Sequence, residues 1–145
     1  MFINQISVFL ENRPGTLRQL TELLGLADID IRELSVADTQ SFGIIRMLFA
    51  APQQYKVYEL LKHAGYMVKR NHVICAEIDD KPSGLCHLLT ILENENLSVE
   101  YMYSCRREPD GHALVVLRLS DLRRGEEALA AYGVRMLSQE EFDRL

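Results

Sequence analysis

Cysteine is scarce in this 145-residue chain, and the few that occur are not spaced for a structural site. The three cysteines, Cys75, Cys86 and Cys105, are odd in number, and no two of them are separated as in a Cys-x-x-Cys motif. A disulfide scaffold or a structural zinc site is therefore not expected. We expect three small, mostly apolar residues in a protein of a reducing compartment, the cytoplasm.

Basic charge is also in short supply. Lysine and arginine number 16 against 21 aspartate and glutamate residues, which gives a net charge of −5. Binding to a nucleic acid backbone or to anionic lipid needs the opposite balance. No apolar run approaches the ~20 residues that cross a bilayer, and the first residues lack the basic start of a signal peptide. We expect neither a nucleic acid nor a membrane partner.

Motifs for catalysis, nucleotides and metals are missing as well. No Gly-x-Gly-x-x-Gly or Gly-x4-Gly-Lys-Ser/Thr sequence occurs, so the usual phosphate-binding loops are unsupported. Ser83 and Ser104 have no His/Asp arrangement that spacing identifies, so a nucleophile with its base is not indicated. The histidines are not spaced as metal ligands either; they are His63, His72, His87 and His112. We therefore expect no enzyme, no cofactor and no metal site.

What the chain does contain is an internal repeat. The segment Asn12–Leu17 reappears as Asp80–Leu85, with the two prolines 68 positions apart. The same spacing places Leu20 on Leu88 and Gly65 on Gly133. Further along, Phe42 aligns with His112 at a spacing of 70, which predicts a two-residue longer hairpin in the second copy, around residues 109–111.

Each copy shows the same succession of periodicities. Alternation at Ile6, Val8 and Leu10 predicts a strand, and leucines at positions 17, 20, 23 and 24 then predict a helix. Both copies continue to the order β-α-β-β-α-β. This is the ferredoxin-like α+β arrangement, in which both helices cover one face of an antiparallel sheet. We expect two such domains, 1–71 and 72–145, with their sheets packed together because no linker separates them.

Several finer expectations follow from the same patterns. The helix of the first loop begins at Pro14 or Thr16, and Pro52 precedes the second helix. A last strand holds Val134 and Met136, and Ser138 caps a short final helix. Some apolar side chains are expected on the strand faces that point away from the helices; these are Phe9, Met47 and Tyr103.

The repeated strand-to-helix loop is the feature that indicates chemistry. The first N–H groups of a helix have no internal partner and lie at the positive end of its dipole, so they suit a carboxylate. A glycine in the loop allows close approach of the backbone. The alternative interpretation is a tight turn that only starts a helix.

The loop sequences resemble a known family. Residues 10–17, followed by Ile29-Asp30-Ile31, are similar to the opening of an ACT domain, a small ligand-sensing module attached to enzymes of amino-acid metabolism. Residues 79–85, followed by Leu97-Ser98-Val99, resemble a second copy. The resemblance covers nearly the whole chain and is nearest to stand-alone tandem ACT proteins, which agrees with the fold predicted from periodicity.

The resemblance implies a free amino acid bound at the first strand–helix loop of a unit, at an interface between two units. Loop backbone and an Asn-type side chain would contact the α-amino and α-carboxylate groups. In the first copy the candidates are Asn12, Arg13, Pro14, Gly15, Thr16 and Leu17, with Ser35 beside Leu34 on the opposing strand. In the second copy they are Asp80, Lys81, Pro82, Ser83, Gly84 and Leu85, with Tyr103, Ser104 and the nearby Tyr101 opposite.

Two interpretations of function stay open. The first is an amino-acid-binding regulatory protein, acting as a homodimer. The second is a regulatory subunit that pairs with a biosynthetic enzyme, because small subunits of acetohydroxyacid synthase begin with a similar loop. The identity of the amino acid, the occupancy of the two loops and the target of any signal cannot be predicted from the sequence.

Overall fold

A computed structural model describes residues 1–38 and 42–145 of the chain. The strands and helices are, in chain order, β1 (Ile3–Glu11), α1 (Thr16–Leu26), β2 (Glu33–Asp38), β3 (Phe42–Leu48), α2 (Ala51–His63), β4 (Met67–Asp79), α3 (Gly84–Asn94), β5 (Val99–Arg107), β6 (His112–Leu119), α4 (Leu122–Ala131) and α5 (Gln139–Asp143). No helix in these described ranges has the length and apolar character needed to cross a membrane.

The first of two compact units comprises Asn4–Asn71. Its β3 pairs antiparallel with both β1 and β2, which places Ile45 opposite Val8 on one side and Val36 on the other. Helices α1 and α2 contribute apolar side chains to the core against one face of these strands. The helical core residues are Leu20, Leu24, Val57 and Leu61.

The second unit comprises Met1–Ile3 together with His72–Leu145. Here β6 pairs antiparallel with β4 and β5. Helices α3 and α4 pack on the core, where Leu88, Leu92 and Leu129 are buried. Phe2 also packs against this core, and its ring stacks on that of His72 with the ring centroids 5.9 Å apart.

The strand registers reproduce the repeat residue by residue. The pair Phe9 and Ile44 in the first unit corresponds to Glu77 and Leu114 in the second, at spacings of 68 and 70. The two extra residues of the second hairpin are divided between two places. One forms a β-bulge at Cys105, since Ser104 pairs with Val115 and Arg106 with Leu114, and the other lengthens the turn. The predicted fold of two ferredoxin-like units is confirmed.

Three finer predictions need correction. Met47 faces the helices, because it pairs with the core residue Ile6 and is itself fully buried in the core; Phe9, which alternates with core residues on β1, points the other way as expected. Helix α2 includes Pro52 in its first turn, where a missing N–H costs nothing. The last predicted strand is reduced to one bridge between Met136 and Ala76, because α5 begins three residues later.

Candidate functional site

The two strand–helix loops have the same backbone hydrogen bonds. In the first loop the amide of Arg13 donates to the carbonyl of Glu11 at 2.9 Å, and the amide of Thr16 donates to the carbonyl of Arg13 at 3.3 Å. In the second, the amides of Lys81 and Gly84 donate to the matching carbonyls at 2.9 and 3.1 Å. Helix α1 therefore begins at Thr16 and α3 at Gly84, each just after the loop.

The residue before each helix has a left-handed backbone. Gly15 has φ +89°, and Ser83 has φ 76° at the matching position. Glycine adopts this conformation without strain, whereas a serine does so at a cost of roughly 1–2 kcal/mol. The Ser83 side chain does not cap its helix, and Gly15 has no side chain with which to do so. The backbone amides in the first turn of each helix have no acceptor within the helix, because no preceding turn supplies a carbonyl. Their N–H groups therefore point toward the loop.

Gly84 makes a close backbone approach that its counterpart Thr16 does not. A Cβ atom on Gly84 would lie 2.0 Å from the carbonyl oxygen of Asp79. In the first loop the threonine hydroxyl instead donates to the carbonyls of Glu11 and Arg13, both at 3.0 Å. The second loop is thus drawn more tightly against the end of its strand.

The longer hairpin of the second unit holds the second loop from the other side. The amide of Asp80 donates to the carbonyl of Gly111 at 2.8 Å, and the Asp80 carboxylate lies 3.4 Å from the Nε atom of Arg107. The longer hairpin therefore contacts the loop itself, because it brings a carbonyl acceptor and a cation to Asp80, the residue that replaces Asn12.

A cleft of about 500 Å³ opens beside the second loop, entirely within the second unit. It is bounded by the end of β4, the first turns of α3, the start of β6 and the segment after α4. The lining residues are Glu77, Ile78, Asp79, Lys81, Ser83, Gly84, His87, Leu88, His112, Tyr132, Gly133, Val134 and Arg135. At the first loop, Arg13, Pro14, Thr16 and Gln19 line a groove of about 400 Å³.

Charged side chains of both signs line the cleft in close pairs. The Nη1 atom of Arg135 donates to Glu77 at 2.7 Å, and the Nζ atom of Lys81 lies 2.7 Å from Asp79. The bond to Glu77 raises the pKa of Arg135, and the hydrogen bond from Lys81 lowers the pKa of Asp79. Both shifts favour the charged forms, so Asp79 and Arg135 are ionised at neutral pH.

His112 stands between the two carboxylates. Its Nδ1 atom is 3.9 Å from Glu77 and 3.8 Å from Asp79, so it hydrogen-bonds to neither. Arg135 is fixed from its other side by Glu141, at 3.4 Å. Ser138 caps α5 through the Glu141 amide in a reciprocal capping box, and these bonds lower the pKa of the Glu141 carboxyl.

Some of the predicted site residues line the cleft or the groove, and others do not. Lys81, Ser83 and Gly84 line the cleft, whereas Asp80, Pro82, Leu85, Tyr103 and Ser104 are outside its lining. In the first unit, Arg13, Pro14 and Thr16 line the groove, whereas Asn12, Gly15, Leu17 and Ser35 do not.

The cleft also contains residues that the sequence reasoning did not select, above all Glu77, His112 and Arg135. Each is an isolated polar residue in its own segment. One signal was available: the 68-residue spacing sets Glu77 against Phe9, a change from an aromatic to an acidic residue inside a repeated strand. Within residues 1–38 and 42–145, no group of three or more His, Cys, Asp or Glu residues is placed to hold a metal ion.

Comparison with known proteins gives one family match and several similar structures. A family model described as an ACT domain pair matches residues 1–145. The structure is similar to that of protein BT0572 from Bacteroides thetaiotaomicron, with 32% identity, coverage of 100% of this chain and 98% of that one, and a TM-score of 0.88. No curated protein matches the sequence significantly.

The fold is also shared with regulatory subunits of aspartate kinase. That of Thermus thermophilus has 12% identity, 90% coverage of both chains and a TM-score of 0.64. That of Thermus flavus has 10% identity, coverage of 88% of this chain and 90% of that one, and a TM-score of 0.62. At these identities the similarity is one of fold.

Proposed function

The chain belongs to the family of ACT domain pairs, and from this premise we propose that it is a regulatory protein without catalytic activity that binds a free amino acid at its strand–helix loops. The observation that carries the proposal is the second loop, where first-turn amides, a close backbone approach at Gly84 and ionised groups of both signs border one cleft. An α-amino acid is a zwitterion, so a site with both signs of charge suits it.

Regulation follows if the amino acid binds one arrangement of the protein better than another, because a ligand shifts an equilibrium only by its differential affinity. The expectation that a further unit supplies the opposite wall of the site stays a prediction. The cytoplasmic location and the homodimeric state are likewise predictions, and light scattering of the purified protein measures the latter directly.

A thermal-shift screen against the twenty proteinogenic amino acids tests the proposal. A ligand present at 100 times its dissociation constant stabilises the folded state by about 2.7 kcal/mol. The D-enantiomers at equal concentration are the matched control, because they have the same charges but not the same handedness. Absence of a shift for every L-amino acid at millimolar concentration rejects amino-acid binding.

A second candidate function is that of a regulatory subunit for a biosynthetic enzyme. The edge strand β2 favours it, since Leu34 and Val36 are 41% and 51% exposed on a strand that pairs on one side with β3. Exposed apolar residues on a strand edge suit a protein partner. Affinity capture that recovers one enzyme of amino-acid metabolism, and loses it with Val36→Lys, supports this candidate, whereas equal recovery with the variant counts against β2.

A further inference from the structure

The two copies of the unit differ in charge at several positions that surround the cleft. Three charged or titratable residues of the second unit take the place of apolar residues of the first. The matched pairs are Glu77 and Phe9, Arg135 and Met67, and His112 and Phe42. The pairs on the central strands are fixed by register, because Phe9 and Glu77 both lie opposite matching residues of β3 and β6. The difference is therefore one of side chains on a shared backbone.

In the first unit these positions form an apolar contact. The rings of Phe9 and Phe42 meet edge to face with their centroids 6.0 Å apart, and the Nζ atom of Lys69 lies 5.5 Å from the centroid of Phe9. The first loop keeps its own ion pair, Glu11 with Arg13 at 2.7 Å. It lacks a counterpart of the Glu77–Arg135 ion pair, because Phe9 and Met67 occupy the matching positions.

In the second unit the added pair is accessible. The Arg135 side chain is 58% exposed, and its guanidinium, which has five N–H donors, contacts Glu77 and Glu141 through two of its nitrogens, so it can also donate to a ligand carboxylate on its solvent side. The Glu77 side chain is only 18% exposed; one of its oxygens accepts from Arg135, and the other faces His112. The Glu77 carboxylate and the Arg135 guanidinium therefore lie next to each other at the cleft. This arrangement is complementary to an α-amino acid, whose ammonium and carboxylate groups are attached to the same carbon atom.

We propose that the cleft of the second unit, and not the groove of the first, binds one free α-amino acid per chain, with the α-carboxylate on Arg135 and the α-ammonium on Glu77 and Asp79. This assignment rests on the proposed function. Binding exchanges the Glu77–Arg135 pair for two pairs with the ligand, so the balance of charge is kept. The ligand ammonium takes the place of the guanidinium beside the largely buried Glu77, so the Glu77 carboxylate is not left without a cation when the pair opens.

The remaining wall of the cleft sets the side-chain class. Ile78, Leu88 and Val134 line it, and Leu88 is buried. Both basic residues of the lining already have acidic partners, Lys81 with Asp79 and Arg135 with Glu77. A ligand side chain with a further charge would find no unpaired opposite charge among these residues, and it would lie beside apolar carbon atoms. Neutral amino acids are therefore expected to bind more tightly than acidic or basic ones.

Isothermal titration calorimetry on the full chain tests the assignment, with the tightest-binding amino acid of the thermal screen as the probe. Arg135→Met copies the residue of the first unit, and Glu77→Gln keeps the shape of the acid without its charge. Arg144→Met is the matched control, since Arg144 also pairs with a glutamate, Glu140, outside the cleft. We expect one bound molecule per wild-type chain, a loss of about 10- to 100-fold in affinity for each test variant, and wild-type affinity for the control.

Blocked forms of the same amino acid separate recognition from a structural effect. The amide form lacks the carboxylate, and the N-acetyl form lacks the ammonium. Both should bind the wild type about 10- to 100-fold more weakly. In Arg135→Met the acid and the amide should bind within about twofold of each other, because the partner of the carboxylate is already gone. This comparison is made within one variant, so any loss of stability cancels.

Each outcome has a distinct meaning. If no amino acid binds the wild type, both this assignment and the proposed function fail. If an amino acid binds, but Arg135→Met and Glu77→Gln bind it as the wild type does, the assignment is wrong while the proposed function stands. Two equivalent molecules per chain, or a preserved preference for the acid over the amide in Arg135→Met, also overturn the assignment.

Discussion

Replacing Gly84 with alanine is the sharpest test of the second loop. The added Cβ would lie 2.0 Å from the carbonyl oxygen of Asp79 and 3.1 Å from its carbonyl carbon. Both neighbours are backbone atoms, so no side chain can rotate away. The oxygen and the new carbon must separate by about 1 Å before they reach even a tight contact, which requires that the start of α3 move off the end of β4. Overpacking of this kind costs about 1–3 kcal/mol.

Two other glycines provide matched controls for the same substitution. A Cβ on Gly25, in α1, meets nothing within 4 Å, so Gly25→Ala is expected to stabilise the protein by about 0.5–1 kcal/mol. A Cβ on Gly125 would lie 2.2 Å from Cδ1 of Leu119, a movable side-chain end. Gly125→Ala should therefore cost less than Gly84→Ala.

Urea unfolding followed by far-ultraviolet circular dichroism measures these differences, since the chain has no tryptophan for fluorescence. The expected order of stability is Gly25→Ala, wild type, Gly125→Ala and then Gly84→Ala. If Gly84→Ala unfolds at the urea concentration of the wild type, the close approach to Asp79 does not exist and the geometry of the loop has to be revised. If the order of the Gly84 and Gly125 variants is reversed, backbone rigidity is not the deciding factor.

Three further predictions concern the residues around the cleft. Ser83→Gly should stabilise the protein by about 1 kcal/mol because it removes a serine from a left-handed backbone conformation, and an unchanged or lower urea midpoint would contradict this strain. Ser138→Ala should lower the free energy of unfolding by about 1 kcal/mol through loss of the α5 cap, whereas a neutral result would show that the cap contributes nothing. The lowered pKa of Glu141 means that its carboxylate contributes stability above its unfolded-state pKa and loses that contribution as the pH falls through the lowered folded-state value. Urea midpoints of wild type and Glu141→Gln should therefore differ at pH 7 and converge in acid, and a gap that stays constant with pH would exclude the carboxylate as its source.

The succession of strands and helices could be predicted because the apolar positions that form the core repeat at the period of each element. Leu20 and Leu24 on α1 and Ile6 and Val8 on β1 show it directly, since all four are buried as their spacing indicates. The direction of the Met47 side chain cannot be predicted in this way, because β3 has apolar residues on both faces and their alternation does not show which face is buried. Pairing with Ile6 decides its direction.

The loops could be located from the sequence, but the cleft could not. Glu77 and Arg135 are 58 positions apart, and each resembles a solvated charge on its own strand or turn. Only the antiparallel return of the chain after α4, where the Glu77 amide donates to the Arg135 carbonyl at 2.9 Å, brings their side chains together. Comparison of the two copies was the one route that could have selected Glu77, because the repeat predicts an aromatic residue there.

The longer hairpin of the second unit shows how a duplicated module can acquire a new property at little risk to its fold. One added residue is absorbed as a bulge at Cys105 and the other in the turn, so the pairing of Tyr103 with Val116 keeps the register of Ser35 with Arg46. The insertion thus leaves the register of the inner strand pairs unchanged, while the hairpin that contains it is joined to the loop by the bond from Asp80 to Gly111. Changes of hairpin length in related duplicated chains should accordingly accompany changes of the adjacent loop, while the apolar positions of the core vary independently of both.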